Sequence, residues 1–245
     1  MTKKFRIINI TFIIIFLIVL GSSIKQVNTK SIHTLANNEV KIISHGPKKQ
    51  KVVALTFDDG PHPVYTTEIL DLLNEYNIKA TFFVLGKFAE QYPDIIKRQA
   101  EEQHEIGNHT YSHININKVS REKFEEEFDK TQKVIFSLTG IESKVFRPPY
   151  GSCNEKTMKV VNTQECNVVL WSYKQDSKDW SNPDVDKIID TTLSNVENGD
   201  IILFHDYVYY DKSNTVEALK VIIPELINRG YNFVTVSELM QLPEE

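Results

Sequence analysis

The chain has 245 residues, 41% of them hydrophobic and 25% charged, which suits one globular domain with a sizeable core and a small appendage but not a second full domain. A formal net charge of -5 argues against a sequence-independent nucleic-acid binder, which needs a basic surface to displace counterions from phosphates. The two cysteines, Cys153 and Cys166, form no Cys-x-x-Cys pair, so thiolate zinc sites and thioredoxin-like chemistry lack their ligands; whether they are free core thiols or, in an oxidising compartment, a disulfide stays open.

At the N-terminus, Lys3, Lys4 and Arg6 precede an apolar run from Ile7 to Leu20 that only Asn9 and Thr11 interrupt. A basic flank ahead of such a run targets a membrane. The run is shorter than the ~20 residues of a comfortable spanning helix, yet no clear small-x-small cleavage site follows Gly21, Ser22 and Ser23. Residues 1–24 are therefore assigned as a signal peptide or an N-terminal membrane anchor, both open, and the chain is expected to be exported. No cysteine follows the run to accept a lipid. Residues 25–50 are polar, without sustained periodicity, and punctuated by Gly46-Pro47-Lys48-Lys49; they are assigned as a linker.

Beyond the linker, short apolar segments alternate with amphipathic ones, the rhythm of repeated βα units around a largely parallel sheet. Strands are expected at 52–57, 81–85, 105–107, 145–147, 168–172, 201–204 and 233–236, most of them continuous apolar runs as in strands covered on both faces. Helices are expected at 66–76, with Ile69, Leu70, Leu72 and Leu73 inward, at 120–138, with Phe124, Phe128, Gln132 and Ile135 on one face and Gly140 as a C-terminal cap, and at 185–196. The run Glu125-Glu126-Glu127 on the second of these reads as a solvated face. A last helix at 215–229 stops at Gly230 and should kink or split at Pro224.

In such folds active sites gather just past the carboxyl ends of strands. There the chain carries Asp58-Asp59-Gly60-Pro61, then His109 and His113, then Arg147-Pro148-Pro149-Tyr150-Gly151, then His205-Asp206. Two imidazoles four residues apart share a side if the segment makes one helical turn, and with a carboxylate from elsewhere they supply three ligands of an open zinc-type site. The spacing alone is a weak signal, and Thr110 stands where the thermolysin-type motif has its glutamate, so a base must come from elsewhere. Adjacent aspartates offer one: one carboxylate binds a metal while its neighbour accepts a proton from water. Taken alone, Asp-Gly-Pro is equally good turn chemistry.

Taken together, Thr56-Phe57-Asp58-Asp59-Gly60-Pro61, His109-Thr110-Tyr111-Ser112-His113, Arg147-Pro148-Pro149-Tyr150-Gly151, Asp179-Trp180 and Leu203-Phe204-His205-Asp206 resemble, in order and spacing, the five motifs of the polysaccharide deacetylase family, also called carbohydrate esterase family four. The resemblance spans 51–242 and implies an α/β fold, a distorted (β/α) barrel with fewer than eight regular strands, as a single catalytic domain. By resemblance, Asp59, His109 and His113 bind a divalent metal, zinc foremost, with cobalt, nickel or another divalent ion as alternatives. Asp58 is the general base, Arg147 orients and neutralises it, and His205 is the general acid, tuned by Asp179 rather than Asp176. The backbone N–H of Tyr150 helps stabilise the oxyanion, Trp180 and Leu203 wall the acetyl pocket, and Pro148 supports it. The implied activity is removal of N-acetyl groups from amino sugars of a polysaccharide, peptidoglycan first, by a monomer at the outer face of the membrane or in the cell wall, membrane-associated through residues 1–24 if these are uncleaved. The alternatives are chitin oligomers, an exopolysaccharide or xylan as substrate, and, from another class, an inactive wall-binding protein. Tyr207, Tyr209 and Tyr210 are weighed as sugar-stacking or plain loop aromatics.

Overall fold

A computed structural model describes residues 40–208 and 212–243. The membrane-targeting run, the linker up to 39, and Tyr209 and Tyr210 lie outside the described residues. Among those described, no helix is long and apolar enough to cross a membrane.

Among the described residues, eight parallel strands form one sheet: β1 (Ile42–Ile43), β2 (Val52–Asp58), β3 (Thr81–Val84), β4 (Glu105–Asn108), β5 (Val145–Phe146), β6 (Asn167–Val169), β7 (Asp200–His205) and β8 (Asn232–Phe233). Their order is β1-β6-β5-β4-β3-β2-β7, with β8 paired to β2 off this path. The sheet curls, and the chain past β6 runs beside β7: Ser172 N–H donates to Ile201 O at 3.0 Å and Leu203 N–H to Gln175 O at 2.9 Å. The result is the distorted (β/α) barrel expected. Among the described residues, eight α-helices accompany it: α1 (Tyr65–Glu75), α2 (Gly86–Gln91), α3 (Pro93–Glu101), α4 (Arg121–Thr139), α5 (Glu155–Thr163), α6 (Val185–Leu193), α7 (Thr215–Asn228) and α8 (Val236–Gln241).

β2 organises the barrel. All seven of its residues are buried, and strand alternation sends successive side chains to opposite faces. Val53, Leu55 and Phe57 pack outward with the helices, Phe57 stacking on Phe82 and Phe204 at 5.0 and 6.0 Å. Val52 and Ala54 instead join Phe83, Val145, Val169 and Ile201. By the same period, Thr56 and Asp58 share that inner face, which puts a carboxylate at the carboxyl end of the interior.

Several expectations need correction. Residues 40–50 are not all linker: Ile42–Ile43 pairs with β6, and Ile43 is buried. A two-residue strand is too short to show a period, and it brings the strand count to eight. Of the expected strand at 233–236 only Phe233 is in a strand, the pair Asn232–Phe233, because Thr235 and Glu238 form a capping box that starts α8. Val236 and Leu239 of that helix then enter the inner core. Pro224 does not split α7; the ladder bond it lacks is outweighed by a face of Val216, Leu219, Ile222, Ile223 and Leu226 buried in the core. The short helices α2, α3 and α5 had no expectation. Both cysteines are free.

Ser120 caps α4, its hydroxyl accepting from Lys123 N–H, and Gly140 ends it at φ 71° with open space where a Cβ would sit. Gly140→Ala therefore meets only the left-handed backbone penalty, about 1–2 kcal/mol; urea unfolding should show that loss and no larger one.

Candidate active site

Asp58 ends β2 and faces the interior, where Arg147 meets it. Arg147 is fully buried. Its Nη1 donates to Asp58 Oδ1 at 2.7 Å and to Thr56 Oγ1 at 2.8 Å, while Nε and Nη2 reach the carbonyls of Val169 and Leu170, both at 3.3 Å. The guanidinium also lies 4.2 Å from the centre of the Phe83 ring. Oδ1 is thus engaged, and Asp58 Oδ2 lies 3.8 Å from His109 Nε2.

The next residue, Asp59, turns the chain at φ 75° and brings its carboxylate to the two imidazoles. Its Oδ1 lies 3.4 Å from His109 Nε2 and 3.3 Å from His113 Nε2, and this buried oxygen has no hydrogen-bond partner of normal geometry. The three donor atoms fall within 4.8 Å of one another. Ligand atoms about 2.0–2.2 Å from a tetrahedral ion stand roughly 3.3–3.6 Å apart, so two of the three separations already suit a divalent cation. The orientation of His109 suits it too: Nδ1 donates to Arg147 O at 2.6 Å, which turns Nε2 toward Asp59; burial disfavours charge on this ring, but Asp58 and Asp59 outweigh it and raise its pKa, so an ion would take the place of a proton on Nε2. Burial pushes His113 down to about 4, so it is neutral near pH 7. Burial alone would raise Asp59, but the neighbouring His109, His113 and His205 outweigh it and hold Asp59 at about 2. The imidazoles do not share a helical turn as the spacing suggested. Thr110 and His113 adopt φ 68° and 60°, and a non-helical turn brings the rings within 5.1 Å, centre to centre.

At the end of β7, beside Asp58 in register, His205 Nδ1 and Asp179 Oδ1 are 2.8 Å apart. Asp179 Oδ2 accepts from His205 N–H and from Thr215 Oγ1, each at 2.8 Å. Burial disfavours charge on His205, yet Asp179, aided by Asp59 and Asp58, pushes it up to about 9. Asp176 does not share this role; its Oδ1 accepts from Lys178 N–H. A cavity of about 750 Å³ joins these groups, walled by Pro148, Tyr150, Trp171, Asp176, Trp180 and Leu203. Trp180 and Tyr150 are half exposed or more. Tyr150 takes φ 60° in a turn over Pro149–Gly151. Tyr207 lies outside this wall, stacked on Phe88 at 4.4 Å.

Two neighbours carried no expectation. Trp171 enters the wall although no motif flags it. Asp206 is buried, and burial with the nearby Asp59 and Asp58 charges pushes it up to about 7 against the hydrogen bond from Thr66. Its carboxylate lies so close to Gly60 that a Cβ there would meet it at 2.2 Å, which explains a glycine after the paired aspartates. In the sequence Asp206 is marked as the last residue of the fifth motif, with no role attached to it.

Fold and site define a barrel hydrolase with paired carboxylates and histidines at the carboxyl ends of its strands. Residues 45–169 match the family described as Polysaccharide deacetylase. A peptidoglycan-N-acetylglucosamine deacetylase of Bacillus cereus is 44% identical over 195 residues, covering 80% of this chain and 91% of that protein. Two solved structures are similar. One is a peptidoglycan N-acetylglucosamine deacetylase in complex with 4-naphthalen-1-yl-N-oxidanyl-benzamide, with TM-score 0.78 and 40% identity over 83% of this chain and 94% of that one. The other is a family 4 acetyl xylan esterase from Clostridium thermocellum in complex with a cobalt ion, with TM-score 0.71 and 37% identity over 77% and 90%. The chain belongs to the polysaccharide deacetylase family.

Removing Arg147 strands the buried Asp58 carboxylate without its partner. Arg147→Ala should cost about 3–5 kcal/mol of stability, measurable as a lower urea midpoint at pH 7.

Proposed function

We propose that this chain is an exported, metal-dependent deacetylase that hydrolyses the N-acetyl group of N-acetylglucosamine units in peptidoglycan. The observation that carries the reading is the convergence of Asp59 Oδ1, His109 Nε2 and His113 Nε2 between the Asp58–Arg147 and His205–Asp179 pairs. The Bacillus cereus relative supports the substrate and a site of action outside the cytoplasm, and the basic, apolar N-terminus fits export. The cobalt-bound relative supports a divalent ion; its identity is left to the donor set, which suits zinc.

Asp59, His109 and His113 would hold that ion, which supplies Lewis-acid chemistry by polarising a carbonyl and making water more acidic. Asp58, with Oδ1 tied to Arg147, takes the proton from the attacking water through its other oxygen. Water oxygen bonds to the acetyl carbon, and the N–H of Tyr150 donates to the oxygen that gains charge. His205, its Nδ1 held by Asp179, gives the proton on Nε2 to the sugar nitrogen as the C–N bond breaks, which yields acetate and a free amine. Trp180 and Leu203 enclose the methyl end. Among the described residues Asp176 lines the cavity and no Lys or Arg does, which favours a neutral sugar over one bearing a carboxylate.

The test is acetate release from purified peptidoglycan and from chitin oligomers and acetylated xylan, with and without chelator. Release from peptidoglycan that stops on chelation, and falls about 100- to 10,000-fold in Asp58→Asn, is the expected result; release from xylan alone would overturn the substrate, and chelator-resistant release would overturn the metal.

The acid role of His205 fixes a pH limb. Its protonated form is required and titrates near 9, so activity should fall as pH rises through that value. Without the Asp179 charge, burial prevails and the proton is lost earlier; in Asp179→Asn the alkaline limb should move to lower pH, as a kcat/KM profile would reveal.

A further inference from the structure

The acidic run Glu125-Glu126-Glu127 divides in the structure. Glu126 is exposed and Glu125 partly so, whereas Glu127 is buried, with 6% of its surface accessible. Glu127 Oε2 accepts from Ser112 N–H at 2.8 Å, and its two oxygens lie 3.1 and 2.9 Å from Ser112 Oγ. Lys123 Nζ, 3.4 Å from Oε1, offsets the charge. Ser112 immediately precedes His113, within a turn whose Thr110 and His113 hold left-handed dihedrals that L residues disfavour. Such a turn persists only when its surroundings over-determine it.

Those surroundings are one face of α4. At the start of the turn, Asn108 Oδ1 accepts from Thr110 N–H at 2.8 Å, while Asn108 Nδ2 donates to Phe128 O and Gln132 Oε1 at 3.0 and 3.2 Å. At its end, Glu127 takes Ser112. We propose that Glu127 is a positioning residue of the metal site: through Ser112 it holds His113 in the backbone conformation that brings Nε2 to 3.3 Å from Asp59 Oδ1. This rests on the reading of Asp59, His109 and His113 as metal ligands. Partners that orient a ligand typically contribute about 10- to 100-fold in metal affinity, because without them the ion must impose a geometry the chain no longer favours.

The test is titration of the metal-free, full-length chain with cobalt(II), followed by visible absorption, alongside thermal melting without metal. Glu127→Ala is expected to bind cobalt about 10- to 100-fold more weakly. Glu127→Gln, which keeps an acceptor for Ser112 N–H, and Ser112→Ala, which keeps the N–H itself, should lie between. Glu126→Ala, with the same charge change on the exposed neighbour, should match the unaltered chain. Folded Glu127→Ala that binds as tightly as the unaltered chain overturns the positioning role alone. If that variant does not fold, unweakened binding by both Glu127→Gln and Ser112→Ala overturns it instead. No cobalt binding by the unaltered chain overturns the metal reading as well.

Discussion

Arg147 is fully buried, and a charge held there is costly unless it is paired and hydrogen-bonded. Four of its five N–H groups have acceptors: the two on one nitrogen serve Asp58 and Thr56 on β2, and one on each of the other nitrogens reaches a carbonyl at or just after the end of β6. Its own backbone carbonyl accepts from His109 Nδ1 just past β4. One residue at the end of β5 therefore ties β2, β4 and β6 together at the level of the site. A lysine, as a single point charge, offers no fork to match this set of acceptors. The orientation of Asp58 and the ring orientation of His109 both descend from this residue.

The barrel beneath exists to make that meeting possible. Alternation along β2 sends Val53, Leu55 and Phe57 into the helical layer and Thr56 and Asp58 inward. The adjoining turn is fixed from outside the sheet: Asp206 N–H donates to Asp58 O, Leu85 N–H donates to Gly60 O, and the Asp206 carboxyl fills the space beside Gly60. Asp59 can then reverse direction, so that neighbouring carboxylates serve different partners. Like charges this close are tolerable because each faces cationic or hydrogen-bonding groups of its own.

What was legible in the sequence follows the reach of each signal. Strands such as 52–58 and helices such as 121–139 announce themselves because their periods run long enough to count, and the five motifs mark strand ends because ionisable residues interrupt apolar runs there. The two-residue β1 has no period to read. The capping box at Thr235 and Glu238 was visible but lost to the apolar look of 233–236. Glu127 shows the deeper limit: in sequence it is one of three glutamates, and only the packing of α4 against the 109–113 turn separates it from Glu126. Thr215, which completes the Asp179 environment, likewise sits 36 residues away from its partner with nothing local to mark it.

His109 and His205 show how one side chain acquires two chemistries from the group facing Nδ1. For His109 that group is a neutral carbonyl, which commits Nδ1 as a donor and leaves Nε2, turned toward Asp59, as the atom that would exchange its proton for an ion. For His205 it is a carboxylate whose other oxygen is already saturated by a backbone N–H and a threonine hydroxyl. Its charge beside the ring outweighs the cost of burial, so the proton stays on the imidazole and the ring stays charged, the state a proton donor needs. In the proposed reaction the division between the group that holds the ion and the group that releases the amine is thus written in the partners of two ring nitrogens lining one cavity.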